Sequence, residues 1–211
     1  MDSLAMKPEE IETESFRIID AEAGEHGWHD AEWQVVRRAI HTSADFEYAR
    51  SMVFSEGAVE QAMAAIKSGC GIATDTNMAL SGISKVRLTP FGNRVVCHVA
   101  DPDVAELAKR DGITRSIAAM RKTLTVPDNR IFVIGNAPTA LFELLRLIDE
   151  GQANPALIIG LPVGFVGAEE SKIALAATKH PVPFITNMGR KGGSNVAAAV
   201  INALAILAAN R

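Results

Sequence analysis

The feature that most restricts the fold of this chain is a series of five short apolar runs beyond residue 70, each followed by a stretch of helical character. The runs cover residues 72–75, 95–99, 131–134, 157–159 and 183–186. They do not alternate between polar and apolar side chains, which is typical of parallel strands buried on both faces. Five βα units predict an open, doubly wound sheet, because a closed barrel needs eight. We therefore expect a flavodoxin-like, three-layer α/β/α fold with a five-stranded parallel sheet of order 2-1-3-4-5.

The first seventy residues read as extra N-terminal helices. Residues 9–22 form one predicted helix, which Gly24 closes, and Asp30 is expected to cap a second helix that runs to about His41. A third covers roughly residues 56–67. We expect these helices to pack outside the sheet. Because no linker or repeat divides the 211 residues, the sequence predicts a single domain over residues 1–211.

Charge and hydropathy exclude several classes of partner. The net charge is −4 and no block of basic residues occurs, which disfavours nucleic-acid binding. The sequence has no apolar stretch of membrane-spanning length and no secretory signal, so no membrane partner is expected. Cys70 and Cys97 lack CxxC spacing, which indicates buried free thiols in a reducing compartment. These features predict a cytoplasmic protein.

A glycine-rich loop at the end of the predicted sheet is a candidate anion site. Residues 189–194 (GRKGGS) follow the last strand and open the last helix, so Arg190 and Lys191 stand beside free helix N–H groups. Residues 75–77 and 135–139 end two other strands and offer backbone N–H groups in the same way. The alternative is an ordinary turn with solvated cations. No Walker loop or dinucleotide fingerprint is present, and His26 and His29 lack a third metal ligand, so neither cofactor nor metal is predicted.

His41 is the candidate acid. On a helical wheel Trp33, Val36 and Ile40 form the apolar stripe, and Arg37 and Arg38 flank His41 within about 60°. A histidine beside two cations suits an anionic substrate and proton transfer. The alternative is a histidine that merely complements the helix dipole, and composition alone favours that alternative.

Seven segments, in order along almost the whole chain, resemble the precorrin-8X methylmutase family. They are residues 11–16 (IETESF), 38–42 (RAIHT), 74–78 (TDTNM), 135–141 (GNAPTAL), 162–166 (PVGFV), 170–172 (ESK) and 189–194 (GRKGGS). The GNAPTAL and PVGFV segments are highly specific to that family. The set as a whole therefore outweighs the dipole interpretation of His41.

The resemblance implies an isomerase of cobalamin biosynthesis that shifts a methyl group from C-11 to C-12 of a corrin precursor, giving hydrogenobyrinate or cobyrinate. It implies that His41 is the proton donor and acceptor and that Ser15 and Arg38 contact the substrate. It also implies a flavodoxin-like homodimer that needs no redox cofactor or external methyl donor. Residues 41–46 are similar to relatives that act on the cobalt-containing intermediate, and both metal-free and cobalt-containing substrates stay open.

The chemistry of such a substrate suggests further contacts. A tetrapyrrole rimmed with acetates and propionates is a polyanion with an apolar face, so its pocket should combine aliphatic walls with cations. By residue type and placement, Arg115, Arg190 and Lys191 are candidates. The competing interpretations are a non-catalytic carrier of tetrapyrrole carboxylates, which gives His41 no role, and a flavin- or nucleotide-binding relative, which lacks a phosphate loop.

Overall fold

The five apolar runs all form strands, and the chain places a sixth strand ahead of them. The computed structural model describes residues 7–210, without the side chains of residues 8 and 9. The strands are β1 (Met52–Phe54), β2 (Gly71–Thr74), β3 (Val95–Val96), β4 (Asn129–Ile134), β5 (Leu157–Gly160) and β6 (Phe184–Asn187). They form one sheet of order β1-β6-β5-β4-β2-β3. Strand β1 pairs antiparallel with β6, and all other neighbours are parallel.

The expected α/β class is confirmed, but the prediction of a five-stranded, wholly parallel sheet is wrong. The sheet has six strands and is mixed, because β1 joins its edge. An antiparallel edge strand on an otherwise parallel sheet is a common arrangement. Strand β1 has only three residues, which is too short for a recognisable pattern. The mutually parallel strands follow one another in the order β3-β2-β4-β5-β6.

Eleven α-helices surround the sheet in the described residues. They are α1 (Pro8–Ala23), α2 (Asp30–Ser43), α3 (Tyr48–Ser51), α4 (Ala58–Lys67), α5 (Asn77–Gly82), α6 (Lys85–Leu88), α7 (Pro102–Asp111), α8 (Arg115–Thr123), α9 (Pro138–Asp149), α10 (Ala168–Ala176) and α11 (Ser194–Asn210), with a short 3-10 helix at Thr89–Phe91. Gly24 ends α1 with a φ of 64°, as predicted. Asp30 is the first helical residue of α2 rather than its cap, and His29 takes that position.

Alternate strand residues divide the core between the two faces of the sheet. Ile72, Ile131 and Ile185 pack on one face with α4, α11 and α2. Phe132 and Ile158 pack on the other with α9 and neighbouring helices. Helix α2 packs on α11 and α1 on α2, so these two lie outside the sheet as expected, whereas α4 contacts it directly. The outer layer therefore carries α2, and with it His41, toward one edge of the sheet.

Two smaller expectations can be compared with the structure. Cys70 and Cys97 are both free, but each is half-buried rather than buried. Among the described residues, no helix combines the length and the apolar character needed to cross a bilayer.

Candidate active site at the carboxyl edge of the sheet

The crossing of α1 and α2 sets the surroundings of His41. Val36 and Ile40 are fully buried against α11, so the opposite side of α2 carries the polar residues near α1. His41, in the last turn of α2, is exposed, and its ring centroid lies 5.2 Å from that of Phe16 on α1. The Arg38 guanidinium lies 4.8 Å from the same Phe16 centroid. The Phe16 ring thus contacts both the imidazole and a cation.

Arg38 forms an ion pair with α1. Its Nη2 lies 2.9 Å from Oε1 of Glu12, and the guanidinium is largely covered. The hydrogen bond from Arg38 lowers the pKa of Glu12, to which the charges of Arg38, His41 and Arg87 also contribute, against the opposing effect of burial. Ser15 lies on the same turn of α1, where its hydroxyl donates to the Ile11 carbonyl at 2.8 Å. Ser15, Arg38 and His41 are therefore brought to one crossing.

The glycine-rich loop reaches this crossing through Lys191. Its Nζ lies 2.5 Å from Oδ2 of Asp45 and 2.7 Å from Oε2 of Glu47, just beyond the end of α2. These hydrogen bonds raise the pKa of Lys191, so it is a cation already neutralised by two acids. The pairing places residues 189–193 beside the end of the helix that carries His41.

Arg190 and Arg115 are the more available cations. Both are exposed, and among the described side chains neither takes part in an ion pair. The Arg190 guanidinium lies 5.7 Å from the Phe165 ring centroid. Arg115 begins α8 behind the cap Thr114, whose hydroxyl donates to Oγ1 of Thr139 at 3.3 Å. Arg115 thus lies at the same edge as His41 but in the layer across the sheet.

Some of the backbone N–H groups expected to bind an anion are already occupied, and that prediction is wrong for residues 135–137. Asp75 takes their three N–H bonds, at 3.0 Å from Gly135, 2.8 Å from Asn136 and 2.7 Å from Ala137. Burial raises the pKa of the Asp75 carboxyl, and these three donors oppose that rise. The N–H of Gly193 likewise donates to the Leu161 carbonyl at 2.9 Å. The exposed side chains of Arg190 and Arg115 therefore offer positive charge at this edge that the N–H groups of residues 135–137 and 193 do not.

Close contacts hold the strand-end loops together. Thr76 follows the end of β2, and Ser194 begins α11. Their hydroxyl oxygens lie 2.7 Å apart, and this hydrogen bond joins the two elements. A Cβ on Gly192 would lie 2.2 Å from the Leu161 carbonyl oxygen, so only glycine fits there without a rearrangement. The glycine loop is therefore fixed against the loop that follows β5.

Large apolar side chains are exposed along the same edge. Phe165 and Val166 are 85% and 90% exposed in the loop that follows β5, and Met78 is 69% exposed at the start of α5. Apolar surface next to unpaired cations fits a ligand that is both apolar and anionic. By contrast, a shallow cavity of about 620 Å³ is lined by Arg121, Leu124 and neighbours at the C-terminal ends of α8 and α9. It lies at the opposite edge and contains none of the predicted site residues.

Three contributors escaped the sequence reasoning. Phe16 and Glu12 both belong to the 11–16 segment but have no role assigned from the sequence, yet both contact Arg38. Their spacing of four residues places them on one face of α1, which is the signal that could have found them. Lys172 was part of a motif but had no assigned role, and it lies buried beneath the glycine loop.

Comparison with known proteins first gives the class: the chain is a methylmutase, and therefore an isomerase. It is 50% identical over 205 residues to the cobalt-precorrin-8 methylmutase of Priestia megaterium, covering 97% of this chain and 90% of that protein. It is 44% identical over 191 residues to the precorrin-8X methylmutase of a Sinorhizobium species, covering 90% of each. The crystal structure of the Thermus thermophilus precorrin-8X methylmutase superimposes with a TM-score of 0.87 at 46% identity, covering 96% of this chain and 97% of that one.

The family follows from the same comparison. Residues 10–207 match the family model described as precorrin-8X methylmutase. The chain belongs to the precorrin-8X methylmutase family, as the motifs predicted, and its pathway is cobalamin biosynthesis.

Proposed function

We propose that the chain converts precorrin-8X or cobalt-precorrin-8 by moving one methyl group from C-11 to C-12, with His41 as proton donor and acceptor. The observation that carries this proposal is the exposed His41 beside Phe16 and Arg38 at the α1–α2 crossing. We also propose that the reaction takes place in the cytoplasm.

The proposed chemistry needs one acid. Protonation of the macrocycle by His41 withdraws electron density from its conjugated path, which lowers the barrier to migration. The C-11–CH₃ bond breaks as the C-12–CH₃ bond forms, and the proton then returns to the imidazole. Atoms, protons and electrons balance within a single molecule, so neither oxidant nor external methyl donor takes part. Because His41 is exposed, a large substrate can reach it without a buried cavity having to open first.

The proposed binding mode uses the edge as a platform. The substrate carboxylates contact three cations, Arg38, Arg190 and Arg115. The hydroxyl of Ser15 donates to the Ile11 carbonyl, so its oxygen is offered to the substrate as a hydrogen-bond acceptor. Lys191 joins them when a carboxylate displaces Asp45 or Glu47. Phe165, Val166 and Met78 cover part of the macrocycle's apolar face, which replaces water on their exposed surface.

A spectral turnover assay tests this function directly. Purified protein is incubated with precorrin-8X and, separately, with cobalt-precorrin-8, and absorption is followed over time. An isomerase changes the spectrum through many turnovers, whereas a carrier gives at most a stoichiometric shift on binding. No turnover with either substrate would contradict the proposal.

His41 is tested by His41→Ala and His41→Asn. Both should fold normally, because the side chain is exposed and contributes little packing. Turnover should fall by roughly two to four powers of ten, the usual contribution of one general acid. The matched control is His180→Asn, which removes a histidine paired with Asp149 before β6, at the other end of the sheet. A His41 variant with nearly unchanged turnover would assign the proton to another group.

A further inference from the structure

A buried ammonium lies directly beneath the glycine loop. Lys172 of α10 is 0% exposed, and its Nζ donates to the Lys191 carbonyl at 2.6 Å and to Oδ1 of Asn187 at 3.3 Å. Among the described side chains no carboxylate forms an ion pair with it. A buried charge without an opposite charge is costly, and hydrogen bonds such as these offset part of that cost.

The acceptors of this ammonium belong to the loop that carries the cations. Asn187 is also fully buried, and its Nδ2 donates to the same Lys191 carbonyl at 2.9 Å and to the Met188 carbonyl at 3.1 Å. Two buried side chains therefore hold one carbonyl from below. The residue before Lys191 is Arg190, which is exposed and lies beside the Phe165 ring. The loop that carries Phe165 also contacts Arg190, because the Gly164 N–H donates to the Arg190 carbonyl at 3.2 Å.

We propose that Lys172 is a positioning residue for the substrate: it fixes the main chain of residues 188–191 so that Arg190 meets a substrate carboxylate, and its buried charge strengthens the attraction. This inference rests on the proposed function, because the ligand is the polyanionic corrinoid. Lys172 does not touch the ligand. It acts through the loop and through its field, which the low-dielectric interior screens weakly.

Among the described residues, Glu169 is the charged group that acts on the pKa of Lys172, and Lys191 is nearby through its carbonyl. Glu169 lies on the same helix, and the Lys191 ammonium is paired with Asp45 and Glu47. Burial lowers the pKa of Lys172 to about 8, and Glu169 opposes this only in part. The folded protein therefore holds fewer protons than the unfolded chain between about pH 8 and 10.5. The contribution of Lys172 to stability therefore rises with pH across that window, so the protonated form of Lys172 reduces stability at neutral pH.

The substitution Lys172→Met separates positioning from structural support. It keeps most of the side-chain volume and removes the buried charge, so the free energy of unfolding in urea at pH 7 should be unchanged or higher. The dissociation constant for hydrogenobyrinate, the proposed product, should rise about tenfold or more. In the wild-type protein that constant should also rise between pH 7 and 9, and the variant should lose this pH dependence. The matched control is Lys179→Met, which removes an exposed lysine and should change neither quantity.

The contrary results are equally definite. Lower stability with unchanged affinity and an unchanged pH profile would make Lys172 purely structural and overturn the proposal. If the variant does not fold, hydrogen exchange of residues 188–193 in the wild-type protein decides between the alternatives. Exchange that speeds up between pH 7 and 9, beyond the intrinsic chemical increase, supports the proposal, and unchanged protection overturns it. This measurement needs no ligand, so it remains valid if the wild-type protein neither binds nor converts a corrinoid and the proposed function fails.

Discussion

At the scale of single residues, two cations of the candidate site are paired with acids of the protein itself. Arg38 is paired with Glu12, and Lys191 with Asp45 and Glu47, so these cations are neutralised while no substrate carboxylate competes. A ligand that supplies several carboxylates can replace the acids. The binding free energy of each incoming carboxylate is then only the difference between its interaction with the cation and that of the protein acid it replaces. This difference favours ligands with many acidic groups over those with one.

Arg38→Ala should mainly weaken substrate binding. A charge-assisted hydrogen bond is worth about 1.5–3 kcal/mol, so KM should rise by roughly ten to a hundred-fold with a smaller change in kcat. Glu12→Gln is the matched counterpart: it leaves Arg38 without its acid and should lower KM by a few fold, since exposed ion pairs contribute up to about 1 kcal/mol. Steady-state kinetics on both variants gives the answer. An unchanged KM in Arg38→Ala would show that Arg38 only ties α2 to α1.

At the scale of elements, the geometry of the candidate site depends more on the ends of the strands than on their middles. Gly135 follows β4 directly against the start of α11, where a Cβ would lie 2.6 Å from the Ser194 Cα. The neighbouring atoms belong to the backbone, so no side chain can rotate away to make room. The absence of a side chain at Gly135 therefore sets how closely the sheet approaches the helix behind the glycine loop.

Gly135→Ala should lower both stability and activity. The extra methyl group must push α11 away from β4, at a cost of about 1–3 kcal/mol in the free energy of unfolding. Gly27→Ala is the control, because a Cβ there meets nothing within 4 Å and its φ needs no glycine. Urea unfolding of the two variants measures the difference. Equal stability of both variants would show that the β4–α11 contact can relax freely.

The sequence predicted the elements that are long or strongly patterned. The five runs were recognised as β2 to β6 because each is mostly apolar without a polar–apolar alternation, and α2 was recognised by its stripe of Trp33, Val36 and Ile40. Strand β1 was missed because three residues show no periodicity, and its place comes from pairing with a strand far along the chain. Tertiary pairing of this kind is not encoded locally.

The site was less predictable than the fold. His41 could be named from its neighbours on the helix, but choosing it over the dipole interpretation required the family resemblance. The capture of residues 135–137 by Asp75 was missed, because it depends on the contact between two strand ends 60 residues apart. The same holds for Lys191 and Asp45, which are 146 residues apart. Such pairs become visible only once the sheet order is known.

At the scale of the whole molecule, the outer helices leave apolar surface unpaired. Ile11 and Ile18 on α1 are 47% and 42% exposed, and α1 packs on α2 without a further layer over it from the part of the chain that the structure describes. We keep two proposals from the sequence at this scale. One is that the chain forms a homodimer, and the other is that residues 1–211 form a single domain.

Sedimentation equilibrium at micromolar concentration should therefore give about twice the chain mass of 22.5 kDa. Replacing both Ile11 and Ile18 by Lys tests whether α1 contributes, since charges at an apolar interface favour dissociation. A wild-type species of 22.5 kDa would contradict the dimer. Two separate unfolding transitions in urea, rather than one, would contradict the single domain.

The antiparallel direction of β1 explains why the end of α2 lies near the start of the glycine loop. Because β1 runs against β6, its first residue, Met52, pairs with the last residue of β6, Asn187. The Met188 N–H also donates to the Ser51 carbonyl at 2.8 Å. The chain therefore passes from the N-terminal helices into β1 at the edge of the sheet where the glycine loop begins. If β1 were parallel to β6, the end of α2 and His41 would lie at the opposite edge.

From this arrangement we expect the candidate acid to reach its position late in folding. Closing β1 on β6 joins segments separated by more than 130 residues, and such distant contacts carry the largest loop-closure cost. An intermediate that has assembled β2 to β6 but not yet received β1 would have a complete parallel sheet and a glycine loop without its histidine. Recovery of turnover during refolding should consequently lag behind recovery of the helical circular dichroism signal. The rate at which activity returns would then report the rate at which β1 pairs with β6.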